Sequence, residues 1–457
     1  LEDSYVSANN WKNKFRVNAK WEHYTDCNGS PDPMIPQEIN TFMSLWREKR
    51  NEDIKLVMEN GKHVLMLIEK LEYQLLDMPV LELCEKEVVQ YQDSIMELRS
   101  LLHQKYNEAT EDLLKVNGLC YCLSSVRRVT MREIVQQTIL VENFSQYTFT
   151  ISHYHLLHTV DLRQYTPVGG VYHVDALKLP PQARHIKETA PHGKLFFVIY
   201  FEEPLVARWH SEGKLWRIDG ITDVKYKMKD KEVYFKMAAF YTITLLQDAH
   251  LNMPYQSWEL RPNGTDEALL TVLTAFTEVQ IQIKETELLS HLRGKWMTPL
   301  GLTIALKTAG INIFPAEYSH KYVSVNKKLP ATELAAYQQI ALVASAFAFG
   351  WSKWNLECGE DRVIFKVSEH LKEGPVQDED WSLYMFNSQR AQRLRITEHS
   401  EAFSEDLAER TEFHSTLFHM IKDFATEAAV EKVKCTHYLF IDAVFQLLFA
   451  IRVLTYS

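Results

Sequence analysis

The stretch VMENGKHVLMLIEKLEYQLLDM, residues 57–78, decides how the first part of this 457-residue chain folds. Val57, Gly61, Val64, Ile68, Leu71, Leu75 and Met78 recur at alternating steps of four and three, the seam pattern of paired helices. Pro79 breaks the pattern. Val88, Tyr91, Ile95, Leu98 and Leu102 then resume it, and Tyr106, Ala109 and Leu113 extend it. With so short a connection, the two seams predict an antiparallel helical hairpin over 37–115, entered at Pro36, which suits a first helical turn. Such a seam either closes on its own partner strand of the hairpin or presents a docking face to a helix of another protein.

Upstream, residues 1–36 predict an extended arm, because the prolines and glycine of Asn28–Pro33 cannot hold a helix. The arm carries Lys12, Lys14, Arg16 and Lys20, interleaved with Trp11 and Trp21. It is either a basic binding arm or a strap over its own core. Downstream, 116–152 reads as a linker. Over 153–295 the period falls to two. Val168–Leu179, Lys194–Glu203, Ile221–Met228, Glu232–Leu246 and Leu269–Lys284 form serial strand-like runs, which predicts an antiparallel β-sandwich-like module. Residues 296–400 read as a mixed α/β module, with helical spacing at 301–310 and 331–354 and strands at Val363–Val367 and Trp381–Phe386. Residues 401–457 end the chain in helices. The apolar run Tyr438–Leu454 is interrupted by Asp442, Gln446 and Arg452 and suits a packed terminal helix better than a membrane span. The fold class is therefore α+β and multidomain.

The net charge of -10 argues against a general nucleic-acid binder, which needs a basic footprint, and leaves room for a local basic patch. The six cysteines, Cys27, Cys84, Cys120, Cys122, Cys358 and Cys435, contain no Cys-x-x-Cys pair and predict reduced thiols. No Walker-type loop and no Gly-x-Gly-x-x-Gly occur, so nothing cradles a nucleotide phosphate. His153, His155 and His158 with Asp161 are the best metal candidate by composition, but ordinary hydrogen-bonded histidines fit the segment better. On a helix, His414 and His419, five apart, would fall on different faces and could not mimic His-Glu-x-x-His. Cys358 among Glu357, Glu360 and Asp361 lacks the base that a nucleophile requires. These readings predict a protein with no catalytic residues, cofactor or metal.

The most suggestive charges are Lys225, Lys227, Lys229 and Lys231, which on a strand make a stripe on one face, with Lys236 beyond. Four ammonium groups in a row either stay solvated, where they discourage edge pairing, or meet an acidic partner. A competing reading is a ligand-binding or hydrolytic β-sandwich protein using exposed aromatics, with Trp209, Trp216 and Trp258 as stacking platforms.

The words WEHY at Trp21–Tyr24, CNGSPDP at Cys27–Pro33 and PQEINTFMSLW at Pro36–Trp46 closely resemble the dynein axonemal intermediate chain 7 family, also called the cancer susceptibility candidate 1 family. Leu67–Leu71, Tyr91–Ile95, Pro167–Tyr172, Leu179–Arg184, Gly310–Pro315 and Ala346–Asn355 are similar to the same family, and the likeness touches most of the chain from Trp21 onward. The resemblance implies a non-catalytic structural subunit of the two-headed inner-arm dynein of motile cilia and flagella. It implies axonemal dynein heavy and intermediate chains and doublet-microtubule tubulin as partners, and neither nucleic acid nor membrane. The Trp-Asp dipeptides at regular spacing that typical dynein intermediate chains carry are missing, which argues against a propeller.

Overall fold

The computed structural model describes residues 2–25, 30–33, 35–50, 52, 54–77, 85–116, 158–173, 199–228, 232–284, 296–372 and 374–457. Helices come first, antiparallel sheets occupy the middle and helices close the chain, the α+β order expected from the sequence. Two compact units result: residues 1–16, 248–307 and 311–457 form one, residues 17–247 and 308–310 the other.

The unit of residues 17–247 holds the helical hairpin. Helices α2 (Pro36–Glu48), α3 (Ile54–Asp77) and α4 (Glu85–Val116) share one core. Gly61 lies against Leu102 and Tyr106, whereas Glu72, further along α3, bonds Arg99, earlier on α4, so α3 and α4 run antiparallel. Every seam position named from Val57 to Leu71, and from Tyr91 to Ala109, is buried. The glycine in the seam has a packing reason, since a Cβ on Gly61 would overlap the Tyr106 ring hydroxyl. Ile39, Met43 and Trp46 of α2 add a third layer, so the hairpin closes on itself rather than leaving its seam open. Burial pushes the Glu72 carboxyl up to about 7 against the opposing pull of Arg99.

In the same unit, β1 (Tyr165–His173), β6 (Thr242–Asp248), β2 (Leu205–His210) and β3 (Leu215–Arg217) form a four-stranded sheet in that order, with Val171, Ala207, Trp216 and Leu246 in its core. β4 (Ile221–Lys227) and β5 (Glu232–Met237) stand apart as a two-stranded antiparallel hairpin.

The other unit is built on a seven-stranded antiparallel sheet in the order β13-β12-β11-β10-β7-β8-β9, comprising β7 (Ser257–Gly264), β8 (Glu267–Leu273), β9 (Glu278–Lys284), β10 (Phe347–Gly350), β11 (Val363–Glu369), β12 (Ser382–Phe386) and β13 (Ala391–Arg393). β9 alternates exposed and buried residues along its length, the mark of a sheet with one wet face. Helices α5 (Pro299–Thr308), α6 (Pro330–Val343), α7 (Leu417–Lys422), α8 (Glu427–Lys434) and α9 (Tyr438–Ile451) complete the unit, and α6 to α9 bury residues in its core. Thr416 and Thr426 cap α7 and α8 through their side-chain oxygens. Among the described residues, no single helix is long and apolar enough to cross a membrane.

Five expectations are corrected. Residues 1–36 are not an extended arm, because α1 is a helix over Glu2–Thr25. The helix breakers of Asn28–Pro33 follow it in the sequence and do not prevent it. The boundary drawn between 295 and 296 divides one sheet, since β7 pairs with β10 across it (Leu260 with Phe349). Consequently 153–295 is not a single sandwich. Its first strands belong to the four-stranded sheet and its last three to the seven-stranded one. The helix expected over 331–354 stops at Val343, and Phe347–Gly350 is a fully buried central strand. Finally, Ile199–Glu203, the described part of the run expected at Lys194–Glu203, is irregular. Its backbone is held by bonds from Ile199 N to the Ala309 carbonyl (2.9 Å) and from Phe201 N to Gln247 Oε1 (3.2 Å). The expected linker, apart from Val116, lies outside the described residues.

Candidate functional site

The lysine stripe is partly placed. Lys225 and Lys227 sit two apart on β4, both exposed, whereas Lys229 and Lys231 lie outside the described residues. Lys225 pairs across the hairpin with Tyr234 and Lys227 with Glu232. The Lys227 ammonium sits 5.0 Å from the centre of the Tyr234 ring, a cation–π contact that orients it. Lys236, on β5, bonds Asp223 at 2.5 Å, where a register shift between Thr222 and Lys225 kinks β4. The opposite face, Val224 and Tyr226, is half-buried, and Tyr226 meets the Tyr200 ring edge-on. One face of the hairpin is thus packed, and the other presents ammonium groups and a phenol to solvent.

The basic N-terminal residues behave differently. Lys12 on α1 forms an ion pair at 2.9 Å with Asp442 on α9, which also accepts from Gln446 Nε2 at 2.5 Å. Ala8 of the same helix is fully buried, and Trp11 and Phe15 stack at 5.5 Å. Lys12 therefore serves as a strap within its own unit. Lys14 is exposed, Arg16 is half-buried, and nothing in the structure describes the Lys20 side chain.

The aromatics of the competing reading are not platforms. Trp216 and Trp258 are only 2% and 3% exposed, each within a sheet core, and Trp209 is half-buried beside Trp216 at 5.2 Å. A ring that stacks on a ligand must reach solvent, so exposed tryptophan platforms are corrected to core residues.

One constellation was invisible in sequence. His250 Nε2 lies 2.9 Å from Ser319 Oγ, and its Nδ1 lies 3.5 Å from Asp248 Oδ1, an Asp–His–Ser order gathered from positions 69 residues apart. Its surroundings rule out nucleophilic work. Ser319 is 1% exposed, its Oγ already accepts from Ala316 N at 2.8 Å, and the imidazole stacks on Tyr322 at 4.9 Å. A nucleophile needs an open approach for its substrate; this trio is a clasp that ties the loop before Ser319 to the end of β6. Cys358 is likewise structural. Lys328 Nζ donates to the Asn355 and Gly359 carbonyls at 2.9 and 2.7 Å and stands 3.2 Å from the thiol, which burial pushes up despite that ammonium.

Among the described residues no group of three metal-ligating side chains gathers. His158 is exposed, and Asp161 accepts from Arg163 N at 2.9 Å, while His153 and His155 lie outside the described residues. A groove of about 370 Å³ beside α4 does collect two carboxylates, Asp93 and Glu97, with Asn40, Lys86 and Val89. Both acids are exposed on successive turns of α4, without the exclusion of water that tunes a catalytic pair.

The comparisons with known proteins decide the kinship. A family described as "Cancer susceptibility candidate 1 N-terminus" matches residues 1–117. The chain is also similar to a human protein named dynein axonemal intermediate chain 7, at 37% identity over 642 aligned positions covering 100% of this chain and 90% of that one. The chain belongs to the dynein axonemal intermediate chain 7 family. A zebrafish relative of the same name is 31% identical over 100% of this chain and 89% of its own. A homologue from Ciona intestinalis is 28% identical over 89% and 83%. Membership places this dynein axonemal intermediate chain 7 relative in the cytoskeleton of the cilium, the axoneme. Its described sheets have four, seven and two strands, so among the described residues there are no repeated four-stranded propeller blades.

Proposed function

We propose that this chain is a non-catalytic structural subunit of the inner-arm dynein of motile cilia. In this reading it joins axonemal dynein heavy and intermediate chains and contacts tubulin of the doublet microtubule. It needs no cofactor, and neither nucleic acid nor membrane is a partner. The observation that carries the tubulin contact is the exposed lysine face of β4–β5. It is a basic feature on a chain of net charge -10, and it would meet an acidic filament. The buried tryptophans and the buried His250–Ser319 pair weigh against the hydrolytic alternative.

Charge reversal tests it. The whole chain is pelleted with microtubules at low salt and at near-physiological salt. Replacing Lys225, Lys227, Lys229 and Lys231 by Glu is expected to weaken binding about tenfold or more at low salt, with a smaller difference at higher salt as screening takes over. Unchanged pelleting of the variant at both salts would remove this hairpin as the tubulin contact.

A further inference from the structure

We propose that the lysine face of β4–β5 grips an extended glutamate-rich peptide, the chemistry of tubulin's acidic C-terminal tail, rather than a folded acidic surface. This rests on the tubulin contact proposed above and concerns what on tubulin is held.

Three observations point to an extended chain. First, Lys225 and Lys227 are alternate residues of one strand, so their side chains leave the same face roughly 6.6 Å apart. A partner in extended conformation repeats its own side chains at that pitch, so carboxylates at alternate positions meet both ammonium groups in one register and in the next. Second, the face is not purely charged. Tyr234 lies directly across from Lys225 and is 46% exposed, with the Lys227 ammonium over its ring. A half-exposed ring between two cations offers a flat surface for a methylene stem, which suits a flexible peptide of glutamates. Third, β4 and β5 form a sheet of their own with only one packed face. The open face runs along the length of the ribbon, where a chain lying parallel to β4 can follow it. Across residues 221–237 five lysines stand against three acids, one of which, Asp223, is already paired with Lys236, so the surplus is positive.

The experiment is a cycle with two perturbations. Microtubules are used intact or after proteolytic removal of the tubulin tails. The whole chain is used as wild type, as Lys225→Glu/Lys227→Glu, or as Lys225→Arg/Lys227→Arg. Tail removal is expected to weaken wild-type binding about tenfold, charge reversal to weaken binding to intact microtubules by a similar factor, and the two together to do no more than either alone, because both delete one interaction. The arginine variant keeps wild-type affinity for intact microtubules. If the losses multiply, or trimmed microtubules bind the wild type undiminished, the lysines meet folded tubulin and the peptide inference fails while the tubulin contact stands. If the wild type fails to pellet with intact microtubules, both fail together.

Discussion

Replacing Glu333 by Ala is expected to destabilise the unit containing residues 248–307 and 311–457 by about 3 kcal/mol, the lower end of the range for breaking a buried ion pair. Glu333 stands in the first turn of α6 and is buried. One carboxylate oxygen accepts from Arg452 Nη2 and Nε, at 2.7 and 3.2 Å. The other accepts from Tyr337 Oη at 2.8 Å and from Thr455 Oγ1 at 2.7 Å. Tyr337 in turn accepts from Leu454 N at 3.1 Å. A single carboxylate therefore anchors the chain after α9, where Arg452 adopts a left-handed conformation that ends the helix. That segment supplies further ties, from Tyr255 N to the Tyr456 carbonyl at 2.6 Å and from Asn326 N to the Thr455 carbonyl at 2.8 Å. Alanine strands a guanidinium and two hydroxyls at once. Arg452 keeps some exposure, and for that reason the lower end of the range applies. Glu333→Gln retains an acceptor for the hydroxyls and loses the charge, so about half the effect is expected. Denaturant unfolding measures both, and equal stability of all three proteins would show that the tail is held by its apolar residues alone.

The second large effect is expected at Gly310, in the unit of residues 17–247 and 308–310. Its φ of +90° is a conformation that side chains rarely adopt. A Cβ there would also overlap the Ile199 carbonyl oxygen, which is backbone and has nowhere to retreat, and would press Val168 at 3.2 Å. Ile199 N is bonded to the neighbouring Ala309 carbonyl, and Gln247 Nε2 donates to the Gly310 carbonyl at 2.9 Å. Gly310→Ala is expected to cost about 2–4 kcal/mol, strain plus displaced backbone. Gly359 is the matched control. It has φ of +89°, but only the Asp361 carboxylate lies near its absent Cβ, at 3.4 Å. Gly359→Ala therefore carries strain alone, about 1 kcal/mol. Equal unfolding midpoints for the two variants would contradict the close approach at Ile199.

Local pattern carried part of this fold. The four-three spacing found the buried faces of α3 and α4 because a helix seam repeats within one or two turns. The strands β4, β11 and β12 were legible for the same reason, being short apolar or alternating runs. What the sequence hid was long-range. β10 lies in a stretch of Ala and Phe that reads as helix, since a strand buried on both faces has no period-two signal. Its pairing with β7, some ninety residues earlier, leaves no local trace. The helix α1 is hard to read because proline and glycine at Asn28–Pro33 signal a break, while the residues before them carry only a weak apolar periodicity. In the candidate site, alternation placed Lys225 and Lys227 on one exposed face. Their contact with Tyr234 depends on hairpin register, which no count along the chain provides. The same is true of Lys12, whose charge reads as available for a partner until Asp442 is seen beside it.

The central proposal is that this chain, a member of the dynein axonemal intermediate chain 7 family, is a subunit of the inner-arm dynein. The most direct measurement is sedimentation of salt-extracted axonemes on a gradient, with the chain and the dynein heavy chains each followed by mass spectrometry. Co-migration with the heavy chains of the two-headed inner arm, at a size far above that of the 53.4 kDa chain alone, is the predicted result. Migration as a free chain, or with axonemal complexes that contain no dynein heavy chain, would contradict it.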